Sequence, residues 1–478
     1  MASVNTNDLR IQNARNLVKS IVDSRNSYVF IGRPMPWEND NDPPVPTNNI
    51  QEYYETMDQI LSMQRITGDD VKFVVLRSSW LSGVTYDIYR HDYSKRNPSF
   101  SGVSNLYDAR FVVINRTNNV YVCLDNNKNS PSLVEPLSDG DEPFYTSDGY
   151  QWMKIYKVGV NYFTGSPLDV FIPVDEVSPV RTVGCINTTI IESGGQGFTI
   201  NPVGGPNQIP FYYCNVTGDG TGAVAKLVVS GGKVTKIEMS REGEGYTYAQ
   251  LLFNSNNAYA TLDDLDNDRN SLNPLGDGTF DATPIITPQG GWGSDNVRHL
   301  GATRISVYSN LKYNMSDFIN NCTFRQIGIL QGVDTGNALP NGLSGHFAAK
   351  MKLTPLEYEV GETIIQKFDA NTTARGYVVG WDPDTLILRY IQDPVYHSDT
   401  DGVMVRFSNA LPIIGLTSAK NGSVESDFDN PSGGLDFNNG LADPEFDKTE
   451  GMMTYLSNVS PVVRDESQSE RINLIISF

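Results

Sequence analysis

The segment 264–268 carries residue types that bind calcium, because its aspartates at 264, 266 and 268 alternate as they do at the start of an EF-hand loop. Two later positions do not fit that loop. Arg269 stands where the loop requires glycine, and Leu275 stands where it requires a bidentate glutamate. The segment is therefore either a weak surface calcium site or an acidic loop in solvent, and the second interpretation needs no ligand.

Two glycine-rich stretches, 218–222 and 230–233, resemble phosphate-binding loops. Neither has the P-loop spacing, and both are followed by strand-like sequence. The helix N-terminus that would bind a phosphate group is therefore missing. We interpret both stretches as turns.

Histidine and cysteine also fail to form a recognisable site. The four histidines, at 91, 299, 346 and 397, are far apart and show no metal-ligand spacing such as HExxH, so we expect surface or loop residues. The four cysteines, at 123, 185, 214 and 322, contain no CxxC pair and stand in strand-like contexts, so we expect buried, reduced thiols. No GxSxG motif occurs, and no carboxylate pair stands out among 56 acidic residues. The sequence predicts no enzyme activity, no cofactor and no metal.

Composition restricts the class of protein further. The chain has 478 residues, 39% of them hydrophobic and 19% charged, which is typical of a globular protein of about three domains. The net charge of −20 opposes binding to nucleic-acid phosphates. No apolar run approaches the ~20 residues that span a bilayer, and the first residues lack the pattern of a signal peptide. We expect a soluble protein made in a reducing cytoplasm, without membrane insertion.

Two helices are predicted near the start. Apolar residues at helical spacing predict the first, namely Leu9, Ala14, Leu17, Val18, Ile21 and Val22. Asn49 and Glu52 form a capping box for the second, whose buried face would be Tyr53, Met57, Ile60 and Leu61.

Most of the remaining signal is β. The 42 glycines and 26 prolines, with abundant Asn and Asp, indicate many turns between short strands. Strand-like runs occur at 28–31, 71–76, 111–114, 120–124, 151–158, 303–308, 323–330, 362–366, 376–379, 385–390, 452–456 and 471–478. The loop 115–119 predicts a hairpin, and 148–150 a turn.

A composition shift marks residues 185–290, which contain an internal repeat. Gly195-Gln196-Gly197-Phe198 recurs as Gly243-Glu244-Gly245-Tyr246. We expect these units to form tight turns with positive φ, each with an aromatic side chain as a plug. Between them, 220–229 and 233–239 predict two strands joined by a glycine turn.

Several strings resemble the baseplate wedge protein encoded by gene eight of T-even-type contractile-tailed phages, and they occur in the same order. The strings are 30–37 (FIGRPMPW), 121–125, 148–152, 324–327, and 451–478 with its best-matching parts at 451–455, 461–463 and 472–478. The resemblance covers roughly 10–180, 296–332 and 445–478. The stretches 185–290 and about 347–435 fall outside it and look like two inserted β-modules.

The prediction for the fold is mainly β with a minor helical part: a multidomain, β-sandwich-like framework with two N-terminal helices and two inserted small β-modules. Its segments are 1–180, 185–290, 296–345, 347–435 and 436–478. The motif residues are interpreted as turn-formers and core aromatics rather than catalytic groups. They are Gly32, Arg33, Pro36, Trp37, Trp152, Phe324 and Tyr455.

For function, the resemblance implies a structural subunit of the baseplate wedge in the phage virion. It also implies a homodimer that contacts other wedge proteins. A second hypothesis is a carbohydrate- or receptor-binding tail module, with the Tyr-rich insertions as its binding face. A third, a depolymerase, rests only on the abundance of carboxylates.

Overall fold

The chain is mainly β. In the computed structural model 41% of residues lie in strands and 11% in helices, which confirms the predicted fold class. The structure describes residues 4–24, 26–159, 170–176, 178, 181–199, 211–311, 319, 321–334, 339–352, 357–432, 434–465 and 467–478.

The helices and strands follow one another in many short elements. The helices are α1 (Asn7–Ser24), α2 (Ile50–Asp58), α3 (Leu262–Asp266), α4 (Asn296–His299) and α5 (Pro394–His397). The first strands are β1 (Ser27–Gly32), β2 (Ile60–Arg65), β3 (Val71–Leu76), β4 (Val112–Ile114), β5 (Asn119–Asp125), β6 (Phe144–Tyr145), β7 (Gln151–Lys157), β8 (Phe171–Pro173) and β9 (Ile186–Gly194). They are followed by β10 (Phe211–Gly218), β11 (Thr221–Ser230), β12 (Lys233–Glu244), β13 (Ala249–Leu251), β14 (Phe280–Ile286), β15 (Arg304–Leu311), β16 (Cys322–Gln331), β17 (Gly342–Ser344) and β18 (Phe347–Lys350). The last are β19 (Thr363–Lys367), β20 (Thr373–Asp382), β21 (Ile387–Ile391), β22 (Ile413–Gly415), β23 (Asn421–Gly422), β24 (Leu441–Ala442), β25 (Met452–Arg464) and β26 (Glu470–Ser477).

The chain divides into two compact units, each built from separate segments. Unit 1 comprises Met1–Ala14, Phe73–Arg304 and Ser477–Phe478. Unit 2 comprises Arg15–Lys72 and Ile305–Ile476. The stretch 185–290 thus belongs to unit 1 and 347–435 to unit 2. The finer division into five segments stays a prediction, and its boundary at 180 lies outside the described residues.

Both N-terminal helices are present, but their buried faces differ from the prediction. In α1 the buried side chains are Ile11, Ala14 and Ile21, whereas Leu9 and Val22 are about half exposed. The predicted buried face of α1 is therefore only partly correct. The helix buries a narrower face than the one its apolar residues would cover.

In α2, Asn49 caps the helix by accepting from the Glu52 N–H at 2.8 Å. The Glu52 carboxylate bonds Thr47 instead of closing the expected capping box. The helix also ends at Asp58, so Ile60 and Leu61 are buried in the next strand and not on the helix.

A five-stranded sheet forms one part of unit 2, in the order β17-β2-β1-β16-β25. Strand β1 is buried along its whole length and pairs antiparallel with both β2 and β16. Strand β16 in turn pairs with β25, which occupies one edge of the sheet. Tyr28, Phe30 and Leu330 belong to its hydrophobic core. Burial on this scale stabilises each such side chain by about 1.5–3 kcal/mol.

A seven-stranded sheet forms another part of unit 2, in the order β23-β22-β19-β20-β21-β18-β24. Its core contains Ile364, Val378 and Leu388, with Phe347 stacked on Tyr390. Strands β15 and β26 are neighbours in a further sheet. The strands expected at 362–366, 376–379 and 385–390 are all present here.

In unit 1, a sheet of order β4-β5-β7-β6 contributes side chains to an aromatic core. The hairpin predicted at 115–119 joins β4 to β5, and Asn118 there has a positive φ of 65°. Trp152 is fully buried in this core. Its ring stacks on Tyr150 and meets Tyr86 edge-on.

The repeat within 185–290 forms the expected turns. The four glycines of the two units, at 195, 197, 243 and 245, all have positive φ. Phe198 and Tyr246 are both buried in one hydrophobic core, packed among strands β9 to β14. The glycine turn at 231–232 joins β11 and β12 in antiparallel register. The two copies of the repeat therefore have the same structural role, because each pair of glycines forms a turn that places an aromatic side chain in this core.

Among the described residues, no helix combines the length and the apolar character needed to cross a membrane.

Candidate functional site

The turn after β1 is fixed by Gly32 and Arg33. The pairing of β1 with β2 shifts register between Ile31 and Gly32, and a Cβ on Gly32 would lie 3.1 Å from the Gln59 carbonyl oxygen. Arg33 follows in the left-handed region with φ of 51°. This conformation is uncommon for a residue with a side chain. The bulge and the left-handed residue together turn the chain sharply out of the sheet.

Trp37 is held in place at the end of this turn. The Arg33 guanidinium lies 3.9 Å from the centre of the Trp37 ring, in a cation–π contact. The Trp37 indole N–H donates to the Val459 carbonyl at 3.2 Å, which ties the turn to strand β25. Its backbone N–H donates to Asp40 Oδ1 at 2.8 Å.

The buried side chain of Arg325 holds the same turn in place. Arg325 binds Asp40 through two parallel bonds, Nε to Oδ1 and Nη2 to Oδ2, both 2.8 Å long. Its Nη1 donates to the Pro34 carbonyl. The hydrogen bond from Arg325 is the main cause that lowers the pKa of Asp40 below its ordinary value. Bidentate pairing of this kind fixes geometry as well as charge.

A cleft of about 1060 Å³, here called the Trp37 cleft, opens beside the turn. Arg33, Pro36 and Trp37 line one part of it, and Arg375, Tyr377 and Tyr396 line another. Tyr396 is half exposed, with 50% of its surface accessible. Two acidic residues, Glu38 and Asp42, also line the cleft, so positive and negative charges are both presented.

The residue types that line the Trp37 cleft are common at protein–protein interfaces. Trp, Tyr and Arg are the residues most enriched at the energetically important positions of protein–protein interfaces, because they combine a large apolar area with polar tips. His397, the imidazole in the lining, is buried and accepts from the Asp393 N–H at 3.0 Å. Burial lowers the pKa of His397. An imidazole engaged in this way helps to hold α5 in place.

The remaining predicted motif residues are distributed between the two units. Phe324 is buried in β16, and Tyr455 is half-buried in β25. Both lie in the same sheet as Gly32, where Ile329 faces Tyr455 in register. Trp152 belongs to the aromatic core of unit 1. The structure thus brings six of the seven motif residues into unit 2, and four of them, at 32, 33, 36 and 37, into one turn.

Sequence reasoning did not find the other half of the Trp37 cleft. Arg375, Tyr377 and Tyr396 come from β20 and α5, more than 330 positions further along the chain. No local pattern links them to residues 33–37. The supporting pair Asp40 and Arg325 was missed for the same reason, although the string 324–327 contains the arginine.

The segment 264–268 is not organised around a metal. Asp264 accepts from Thr261 at 2.6 Å, Asp266 pairs with Arg241 at 2.6 Å, and Asp268 accepts from the Tyr259 hydroxyl at 2.7 Å. Each carboxylate therefore serves a different local contact. In the part of the chain that the structure describes, no group of three or more His, Cys, Asp and Glu is placed to hold a metal ion.

The cysteine prediction is confirmed, whereas the prediction of surface or loop positions is wrong for His299 and His397, which are buried in the short helices α4 and α5. His346 lies in the loop before β18, although its side chain is buried. All four cysteines are free and buried. His91 is exposed, but His299, His346 and His397 are buried. Burial is the main cause that lowers the pKa of each of these three, His346 to about 3. All three side chains are packed inside the protein.

Comparison with known proteins gives no identification, since neither a protein-family model nor a curated protein sequence matches this chain.

Proposed function

We propose that the chain is a structural subunit of the baseplate wedge in a contractile phage tail. It would act by being bound by neighbouring subunits, without catalysis and without a cofactor. The motivation is the ordered set of strings that resembles the gene-eight wedge protein of T-even-type phages, together with the arrangement of those strings in the fold.

One observation carries this proposal. Three of the strings come from distant parts of the chain yet contribute residues to adjacent strands of one sheet: the start of 30–37 to β1, 324–327 to β16 and 461–463 to β25. Ile31 faces Ile327 across β1 and β16, and Phe324 faces Val462 across β16 and β25. Strings that resemble one protein in order and also meet in space support a shared framework more strongly than isolated matches do.

The Trp37 cleft supplies a surface suited to assembly. It presents aromatic, proline and arginine side chains, and Arg325 and Asp40 hold its turn in position. The net charge of −20 favours partners with basic surfaces. In this proposal the partners are a second copy of the chain and the neighbouring wedge proteins, and the site of action is the tail baseplate of the virion.

The first test is the assembly state of the purified chain. Sedimentation velocity of the full chain should show a dimer, and mixing with the neighbouring wedge subunits should give a larger complex. Tyr396→Ala should weaken that complex by about tenfold or more, because a half-exposed tyrosine in a cleft contributes strongly to protein contacts. Its exposure means that truncation should leave the fold intact.

Tyr54→Ala is the matched control, since Tyr54 is 57% exposed in unit 2 and does not line the Trp37 cleft. It should assemble as the native chain does. A stable monomer that enters no complex would contradict the proposed function. Equal loss in both variants would show that the Trp37 cleft is not the contact surface.

A further inference from the structure

Unit 1 contains a second cleft, of about 760 Å³, which the assembly role does not use. We call it the Tyr145 cleft. The loops and strand ends between residues 88 and 149 line one part, and strands β9 and β12 of the stretch 185–290 line the other. Its volume lies within the ~300–1,000 Å³ of sites for small ligands.

Two aromatic side chains at this cleft are open to solvent. Phe100 is 56% exposed and Tyr145 is 44% exposed, and both line the cleft. Rings of this kind offer an apolar face, and tyrosine adds a polar tip. A pyranose ring has a matching character, since its C–H face is apolar and its edge carries hydroxyl groups.

Several polar groups in the lining are left without a hydrogen bond. Among the described residues, the Lys128 ammonium, the Tyr145 hydroxyl and the Ser147 hydroxyl make no hydrogen bond, and all three residues are exposed. Asp125 lines the same cleft and accepts from the Asn127 N–H at 2.9 Å. Burial raises the pKa of Asp125. The cleft therefore offers donors and a partly desolvated acceptor to a ligand.

The charges around the Tyr145 cleft are balanced. Arg90 is paired with Asp92 at 2.8 Å and with Glu192 at 2.9 Å. Lys236 is 2.6 Å from Glu238 and lies over the Tyr145 ring, 4.9 Å from its centre. The remaining charged side chains in the lining are Lys128 and Asp125, and they attract each other electrostatically. A ligand with strong charge of either sign would find no matching excess here.

We propose that the Tyr145 cleft binds a neutral oligosaccharide built from hexopyranose units. Tyr145 and Phe100 stack on the C–H faces of the sugar, and Asp125, Lys128 and Ser147 bond its hydroxyl groups. Arg90 and Lys236, already paired within the protein, shape the walls. The stretch 185–290 closes one side of the site through β9 and β12.

The test uses the full chain on an array of neutral hexose oligosaccharides of two to six units, beside acidic oligosaccharides. Selective signal on neutral members is expected. The best of them is then measured by titration calorimetry against Tyr145→Ala and Asp125→Asn. Each variant should bind about tenfold more weakly, because each removes one ring contact or one charged acceptor.

Tyr248→Ala is the control, because Tyr248 is a 61% exposed tyrosine of the same unit that does not line the cleft. It should bind as the native chain does, and thermal unfolding should confirm that all variants are folded. No signal on the array, signal on acidic members alone, or equal loss in the control would each overturn the inference. Since the assay needs no wedge partner, its failure leaves the proposed function standing.

Discussion

Lys448 lies in surroundings unlike those of an ordinary surface lysine. Its ammonium group donates to the Asp58 carbonyl at 2.6 Å and lies 5.6 Å from the centre of the Phe347 ring. The Arg406 guanidinium lies 4.1 Å from the same ring. Burial lowers the pKa of Lys448 to about 8 and raises that of Asp58. Unit 2 thus keeps a desolvated cation close to a second positive charge.

This arrangement predicts a pH-dependent contribution to stability. Between pH of about 8 and the ordinary lysine pKa of 10.5, the unfolded chain holds a proton that the folded chain has released. The free energy of unfolding of the native chain should therefore rise with pH relative to that of Lys448→Met, by about 1.4 kcal/mol for each unit of pKa difference. Urea unfolding of both proteins across this range measures the difference.

Because the other groups that titrate at high pH are the same in both proteins, their effects cancel in this comparison. A difference between the two unfolding free energies that stays constant with pH would contradict the account of Lys448.

At the residue scale, the sequence was informative about cysteine and misleading about histidine. Cys123 stands between Val122 and Leu124 on β5, and Cys214 follows two tyrosines on β10, and a thiol is small enough to be buried in such a strand. His299 and His397, by contrast, lie in the short helices α4 and α5 and are buried there. An imidazole is stable both in water and in a core, so its type alone does not decide its location.

The glycine repeat shows how an element is set by sequence. Gly243 has φ of 65°, and a Cβ there would lie 2.5 Å from the Ala223 nitrogen and 2.6 Å from the Thr221 carbonyl oxygen. The close approach allows Tyr246 to be buried, with its hydroxyl donating to the Val216 carbonyl at 3.1 Å. The glycine turn and Tyr246 therefore form one structural unit, in which the turn brings the backbone close enough for the aromatic side chain to be buried.

Gly243→Ala should destabilise the protein by about 3 kcal/mol, because it adds a steric clash to the cost of a left-handed conformation. Gly231→Ala is the matched variant. Gly231 also has a positive φ, of 59°, but a Cβ added there would meet nothing within 4 Å, so only the conformational cost of about 1 kcal/mol applies. Denaturant unfolding of the two variants compares them, and equal losses would show that the clash is absent.

Element boundaries were harder to predict than element types. The cap at Asn49 located the start of α2, but no glycine marks its end, and Ile60 and Leu61 fit a buried helix face as well as a buried strand. Only the pairing of β2 with β1 and β17 decides between them. That information lies in residues far along the chain.

At the scale of the whole molecule, the order of the resembling strings along the chain can be read from the sequence. Which residues lie close together in the folded protein cannot. The sequence supplied the turn at Gly32 to Trp37, while the rest of the Trp37 cleft comes from Arg375, Tyr377 and Tyr396. The Tyr145 cleft likewise joins loops before residue 150 to strands after 185. Both clefts are products of tertiary pairing, which spacing along one chain does not encode.

We propose that this chain is built into the baseplate of a contractile tail. Immunogold electron microscopy of purified tails, with an antibody raised against the 478-residue chain, tests it most directly. The account predicts gold at the baseplate end of the tail and none along the sheath or on the head. Tails that carry no label, or label confined to the head, would contradict it.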